Sequence, residues 1–232
     1  MALSLNFATL LTPEHIAQLL RGLQFTLVLT VSSWLIAITV GALLAILREG
    51  RGRWVGWAVA GFVSYQRNIP ALAHLLMWYF GVPALLPLAA QSWINAHNGE
   101  VILASIAMGL GVGAYFCEDI RSGFRSIPQG QHEASRAIGL SYLQSMRYVI
   151  LPQSLRVALP PLVNHTVMLF KGTSLAMAIG VAELTYVVRE IENQTFRTFE
   201  SYLIATVAYL VISLSLMGLG ALIARHYRIP GR

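Results

Sequence analysis

The stretch Gln131 to Pro152 reads QHEASRAIGLSYLQSMRYVILP, a polar island between long apolar runs. Pro128 suits a first helical turn, and the run through Ile138 holds good helix formers. Gly139 stands where the residue just past a helix end is expected. Ser141 with Gln144 three residues on makes a capping box that opens a second helix, and Pro152 is expected to stop it. The result is an elbow of two short helices on a glycine turn. Its first arm carries Glu133, Ala134, Ser135 and Ala137, small residues flanked by charge. Such a shape suits a groove on a partner protein; an amphipathic loop packed on its own chain is the other reading the residues allow.

The surroundings of the elbow decide the class of protein. Of 232 residues 56% are hydrophobic and only 11% charged, and the mean hydropathy is +0.63, with the apolar residues in charge-free blocks. The chain therefore reads as all-α and integral to a membrane. A net charge of +6 could suggest nucleic acid, but the basic residues cap the ends of apolar blocks and form no stripe with interleaved aromatics. The chain opens without a positive region, a short apolar core and a small-residue cleavage site, so the first span is expected to be its own insertion signal. Cys117 is the single cysteine, which excludes a disulfide within the chain and makes it a packing residue.

About five spans are expected, at 22–47, 69–88, 101–120, 157–182 and 201–224, within one permease-like domain covering 1–232. The first is the clearest, since residues 22–47 carry no charge and would reach ~39 Å as a helix against a ~30 Å hydrocarbon core. Gln24, Thr26, Thr30, Ser32 and Ser33 along it suggest packing in a bundle. Trp54 to Gln66 reads as an interfacial helix, and Gly109, Gly111 and Gly113 permit close approach in the third span. Pro160 and Pro161 kink the fourth. Arginines gather after span one (Arg48, Arg51, Arg53), after span three (Arg121, Arg125, Arg136, Arg147, Arg156) and in the tail (Arg225, Arg228, Arg232), while 81–99 has none. The excess of positive charge on cytoplasmic loops puts the N-terminus outside and the C-terminus and the elbow inside.

The order Glu133, Ala134, small Ser135, three residues, Gly139, nine residues, Val149, one residue, Leu151, Pro152 resembles the EAA loop of the permeases of bacterial ATP-binding cassette importers. Ser135 stands where a second Ala is usual and Val149 where Ile is usual. The strings RNIPALAHLLMWYFGVP from Arg67, AYFCEDIRSGFRSIPQGQ from Ala114, LPQSLRVALPPLVN from Leu151 and KGTSLAMAIGVAEL from Lys171 are similar to the polar amino acid branch of that family. The resemblance implies a type I importer permease in the inner membrane, with a cytoplasmic loop at 125–152 whose coupling helix sits in a cleft of an ATPase. It implies ATPase coupling through Glu133, Ala134, Ser135, Ala137, Gly139, Leu151 and Pro152. The partners implied are a second permease, identical or homologous, two ATPase subunits, an outer substrate-binding protein, an amino acid substrate and membrane lipid. The branch typically has Arg-Gly-Thr-Pro where this chain has Arg67, Asn68, Ile69 and Pro70, and an acid or amide after the lysine, where this chain has Gly172.

The chain itself is expected to be no enzyme and to bind no cofactor. A Walker A loop needs Gly-Lys followed by Ser or Thr, and the one lysine, Lys171, follows Phe170, so ATP and Mg belong on a partner. Lys171 is the best single residue for a role at the pathway or the permease interface, because a charge in an apolar block faces a partner or water; a lysine solvated at a helix break is the other reading. With it, Arg67, Pro70, Thr173, Ser174 and Glu183 form the pathway or gate set, Glu183 being outer by resemblance. Arg67 reads more simply as a snorkelling anchor. Adjacent Glu118 and Asp119 point about 100° apart on a helix and read as a charge cluster with Arg121 and Arg125. His74 and His165 lack metal-ligand spacing and read as packed, hydrogen-bonded side chains, and Asn164 as a partner for backbone freed at the prolines. The rival to an ATP-driven permease is an ion-coupled secondary transporter with Lys171 and Gly172 at a broken helix, against which stand the lack of a visible repeat and the scarcity of intramembrane acids. An intramembrane enzyme finds neither Gly-x-Ser-x-Gly nor His-Glu-x-x-His.

Overall fold

The computed structural model describes residues 5–50 and 52–226; Arg51, Arg228 and Arg232, used in the charge count, lie outside the described residues. Helix α1 runs Pro13–Glu49, well beyond the charge-free stretch 22–47. Its start follows local chemistry: the Thr12 hydroxyl accepts the His15 N–H at 3.2 Å, Pro13 takes the first helical position, and Glu14 meets the positive end of the helix dipole. Helix α2 is Arg53–Asn68 and buries Val59, Val63 and Gln66.

The expected span 69–88 is helical only in part. Helix α3, Ala71–Leu76, passes through a π turn at Met77–Gly81 and a 3-10 turn at Pro83–Leu85. Pro87 then forces the preceding Leu86 into extended backbone (ψ 153°), which ends the helical run before α4, Leu88–Ala96. Helix α5 is Gly99–Arg125, α6 is Gln129–Ala137 and α7 is Tyr142–Ser145. A π turn at Met146–Ile150 leads directly into α8, Leu151–Gly172. A 3-10 segment, Thr173–Ile179, then α9, Leu184–Thr195, and α10, Thr198–His226, complete the described residues.

The expectation that Pro152 stops the second elbow helix is corrected here. Pro152 sits one residue into α8, and the helical path from Tyr142 runs past it. A proline removes one N–H and its ring crowds the carbonyl a turn earlier, and the wider π turn ending at Ile150 absorbs both effects. The Gln153 side-chain amide donates to the Val149 carbonyl at 2.9 Å within that turn. Among the described residues three helices are long and apolar enough to cross a membrane, Pro13–Glu49, Gly99–Arg125 and Thr198–Arg225. The run Tyr142–Ile179 with Leu184–Thr195, bent by 52°, is a fourth if taken as one broken span, and Ala71–Leu85 is a shorter apolar helix.

The chain divides into two compact units. The first comprises residues up to Ile36, Ile69–Gly109 and Met168–Leu214. Its core joins Leu29, Leu75, Ala104, Ala107, Ala176, Ile179 and Val181. The Ser32 and Ser105 hydroxyls meet at 2.7 Å, so one of the span-one hydroxyls does bond a neighbouring helix. The second unit comprises Ala37–Asn68, Leu110–Val167 and residues from Ser215, around Ala45, Val59, Val63, Ala114 and Cys117.

In the first unit a Cβ at Gly109 would lie 2.6 Å from Ile36 Cβ and 3.0 Å from the Ser33 carbonyl oxygen. Helices α1 and α5 approach there as closely as backbone allows. Gly109→Leu is expected to lower stability in detergent by ~1–3 kcal/mol through overpacking, read as the denaturant or thermal midpoint. Gly61→Leu, at a glycine with nothing within 4 Å of its Cβ position, is expected to leave the midpoint unlowered.

Candidate functional site: the elbow and the Arg67 cavity

The elbow is closed by a complete set of local bonds. Helix α6 ends in a Schellman motif: the Leu140 N–H donates to the Ser135 carbonyl at 3.2 Å and the Gly139 N–H to that of Arg136 at 3.0 Å. This geometry holds Gly139 at φ +83°, a conformation that costs any residue with a Cβ. Two residues on, Ser141 opens α7 with both halves of the capping box, Gln144 N–H to Ser141 Oγ at 3.4 Å and Ser141 N–H to Gln144 Oε1 at 2.9 Å.

Ser135 proves to be the internal pin of the elbow. It is buried, and its hydroxyl lies 2.5 Å from that of buried Ser145 on the other arm while donating to the His132 carbonyl at 2.9 Å. A second tie, Gln153 Nε2 to Gln131 Oε1 at 3.2 Å, joins the feet of the arms. Sequence reading placed Ser135 on the gripped face as a substitute for alanine; its partner, ten residues away, was the missing information. With the interior closed, Glu133, Ala134, Arg136, Ala137 and Gly139 are left exposed. Ile138, Tyr142 and Leu143 stand out further, 75%, 75% and 77% exposed. Leu151 and Pro152 lie beyond the elbow, on α8, where they border an apolar groove with Leu155 and Leu159.

A second feature of this unit is a cavity of about 350 Å³ lined by Arg48, Ser64, Arg67, Asn68, Tyr115 and Glu118 among others. The Arg67 guanidinium lies 5.2 Å from the centre of the Tyr115 ring, and the Tyr115 hydroxyl donates to the Arg67 carbonyl at 3.3 Å. Tyr115 in turn packs against His165, with ring centres 4.9 Å apart, and His165 Nδ1 donates to Asp119 at 2.6 Å. Glu118 pairs with Arg48 and, at 3.3 Å, with Arg121, which also meets Glu49 at 3.0 Å. The two adjacent acids thus diverge as their helical spacing requires, Glu118 into an arginine cluster and Asp119 to a histidine. The arginine partners were legible only in part, since Arg48 and Glu49 come from α1.

The remaining residues of the pathway set belong to the first unit. Pro70 precedes α3, and its carbonyl accepts the His74 N–H at 3.0 Å. His74 also accepts from Trp78 Nε1 at 2.9 Å. Lys171 is exposed in the last turn of α8. The Thr173 hydroxyl donates to the Phe170 carbonyl at 2.7 Å and that of Ser174 to the Lys171 carbonyl at 2.9 Å, local bonds where α8 tightens into the 3-10 segment. Glu183 is fully buried and caps α9, accepting from the Thr185 and Tyr186 N–H groups at 2.9 Å each and from the Tyr209 hydroxyl at 2.7 Å. The Leu184 N–H is taken by Thr26 Oγ1 at 3.1 Å. Thr26, expected to bond within a bundle, finds its partner here, and Tyr209 was missed because it is distant in sequence. Asn164 is exposed. Among the described residues no group of three or more His, Cys, Asp or Glu could hold a metal ion.

Residues 37–229 match the family of binding-protein-dependent transport system inner membrane components. The glutamate/aspartate import permease protein GltJ of Escherichia coli strain K12 is 32% identical over 214 residues, covering 90% of this chain and 87% of that protein. The histidine/lysine/arginine/ornithine transport system permease protein HisM of Salmonella typhimurium is 31% identical over 199 residues, 85% of each chain. A crystal structure of an amino acid ABC transporter with histidines superposes with TM-score 0.84 at 27% identity, covering 97% of this chain and all of that one. The inward-facing MetNI methionine ABC transporter shares the fold, with TM-score 0.75 over 94% of this chain and 20% identity. This chain belongs to the inner membrane components of binding-protein-dependent transport systems, as a permease subunit of an ATP-binding cassette importer.

Proposed function

We propose that this permease forms the amino acid pathway of an ATP-driven importer and receives its mechanical input through the elbow of α6 and α7. One observation carries the proposal: the elbow satisfies its own interior through Ser135 and Ser145, yet presents Ile138, Tyr142 and Leu143 unburied beside Glu133, Ala134 and Ala137. An apolar patch with a charged rim on a pre-formed motif is the anatomy of a docking surface. The occupant is an ATPase subunit, one of two that carry ATP and Mg. The import of glutamate/aspartate and of histidine, lysine, arginine and ornithine named for the relatives supports polar amino acids as the substrate class.

The rest of the assembly is a second permease, homologous or identical, and an outer substrate-binding protein. The N-terminus lies outside and the C-terminus in the cytoplasm, a reading supported by the arginines that flank the elbow. ATP binding draws the ATPases together, and each elbow follows its ATPase and biases the helices between two packings. The path of force is short, because α7 continues through the π turn into α8 with no loop between them. At the far end of α8, Lys171, Thr173 and Ser174 mark the shift to 3-10 geometry, and Pro70 and Glu183 each sit at a break between helices. These breaks are where a gate can bend.

Gly139→Val places a β-branched residue at φ +83° and is expected to cost the turn about 1–2 kcal/mol. Membrane insertion should persist while uptake falls and ATP hydrolysis continues, measured together in proteoliposomes; undiminished uptake would contradict coupling through the elbow. Leu143→Glu and Glu133→Lys are expected to weaken ATPase copurification. A mutation at the centre of an interface costs about 2 kcal/mol or more, so the larger loss is expected at Leu143. Retention at the wild-type level in both variants would remove this face as the docking surface.

A further inference from the structure

Arg67 differs from the arginines around it. Arg48, Arg121 and Arg125 all lie within 4.0 Å of Glu118 or Glu49, whereas Arg67 makes no salt bridge to a carboxylate among the described residues. Its guanidinium instead lies over the face of Tyr115 and lines the 350 Å³ cavity, which is within the size range of small-molecule sites. An arginine stacked on a ring keeps its N–H donors along the guanidinium edge, and a carboxylate accepts two of them in parallel.

The stack is itself held in place. The Tyr115 hydroxyl bonds the backbone of the residue whose side chain its ring supports, and its other neighbour, His165, is fixed by buried Asp119. These contacts steady the exposed Arg67 side chain at the rim of an open cleft, which lowers the reorganisation needed when an anion arrives. Arg48 and Glu118 in the lining pair with each other, which leaves Arg67 as the lining cation without a carboxylate partner among the described residues, and Ser64 and Asn68 add neutral polar groups.

We propose that Arg67 receives the α-carboxylate of an amino acid zwitterion in transit, with Tyr115, His165 and Asp119 as positioning residues. The inference rests on the amino acid import reading and assigns the part of the substrate that this chain recognises.

The test uses the complete transporter, without its binding protein, in nanodiscs. Equilibrium binding is measured for L-glutamate, L-glutamine, L-arginine and L-histidine and for the α-decarboxylated analogue of each. The wild type is expected to hold the amino acid it binds best about ten- to hundredfold more tightly than the analogue. Arg67→Gln should bring that ratio close to one, and Arg67→Lys, which keeps the charge without the planar fork, should lower it severalfold. Tyr115→Phe, which retains the ring face, should keep most of the ratio that Tyr115→Leu loses. Equal binding of amino acid and analogue by the wild type overturns the inference. So does a wild-type ratio in Arg67→Gln or, if that variant fails to assemble, in Arg67→Lys. Wild-type uptake with binding protein and ATP separates the two readings: if none of the four amino acids is taken up, the import reading falls and the inference with it, whereas uptake alongside an unchanged Arg67→Gln ratio removes the inference alone.

Discussion

A helix in hydrocarbon must satisfy its own backbone, and several departures from straight helix among the described residues carry side chains that take up the polar groups exposed there. The clearest case lies between the 3-10 segment and α9. Gly180 turns the chain at φ +85°, the Glu183 carboxylate takes two backbone N–H groups, and Thr26 takes a third at Leu184. A buried carboxylate is costly unless its oxygens are filled, and the Tyr209 hydroxyl completes the set. The joint thereby fixes α1, α9 and α10 to one another within the first unit. Glu183 looked like a gate residue in sequence; in the structure it is first the residue that makes a broken helix tolerable.

The elbow obeys the same constraint with different means. Its helix ends are closed by a Schellman turn and a capping box separated by a single residue, Leu140, so almost no backbone is left for a partner to satisfy. A partner protein can therefore bind its side chains without having to fold it first, which lowers the ordering cost of association. The Ser135–Ser145 contact ties the two arms to each other. The π turn before Pro152 joins the second arm to α8 with no loop between them.

Much of this was legible in the residues, and the misses share a cause. Gly139, Ser141 and Gln144 act over three or four positions, and local chemistry of that range can be read directly. The start of α1 was equally local, at Thr12, Pro13 and Glu14, but weighing only the charge-free run hid it. Pro152 was misread because a proline that ends a helix and one that follows a π turn look alike without the hydrogen-bond register. Long-range pairs were out of reach: Thr26 with Leu184, Tyr209 with Glu183, and His165 with Asp119 are joined only by packing. That Arg67 has no carboxylate partner among the described residues belongs to the same class, since it becomes visible only after its neighbours are seen to be paired with each other.

A permease subunit of an ATP-binding cassette importer draws its energy from ATP and not from an ion gradient. The most direct measurement is uptake of labelled amino acids into proteoliposomes that hold this chain, its companion permease, the binding protein and the ATPases, with ATP and ion gradients varied separately. Uptake is expected to require hydrolysable ATP and the ATPase subunits, and to be indifferent to an imposed proton or sodium gradient. Uptake that follows an ion gradient with the ATPases left out would contradict it.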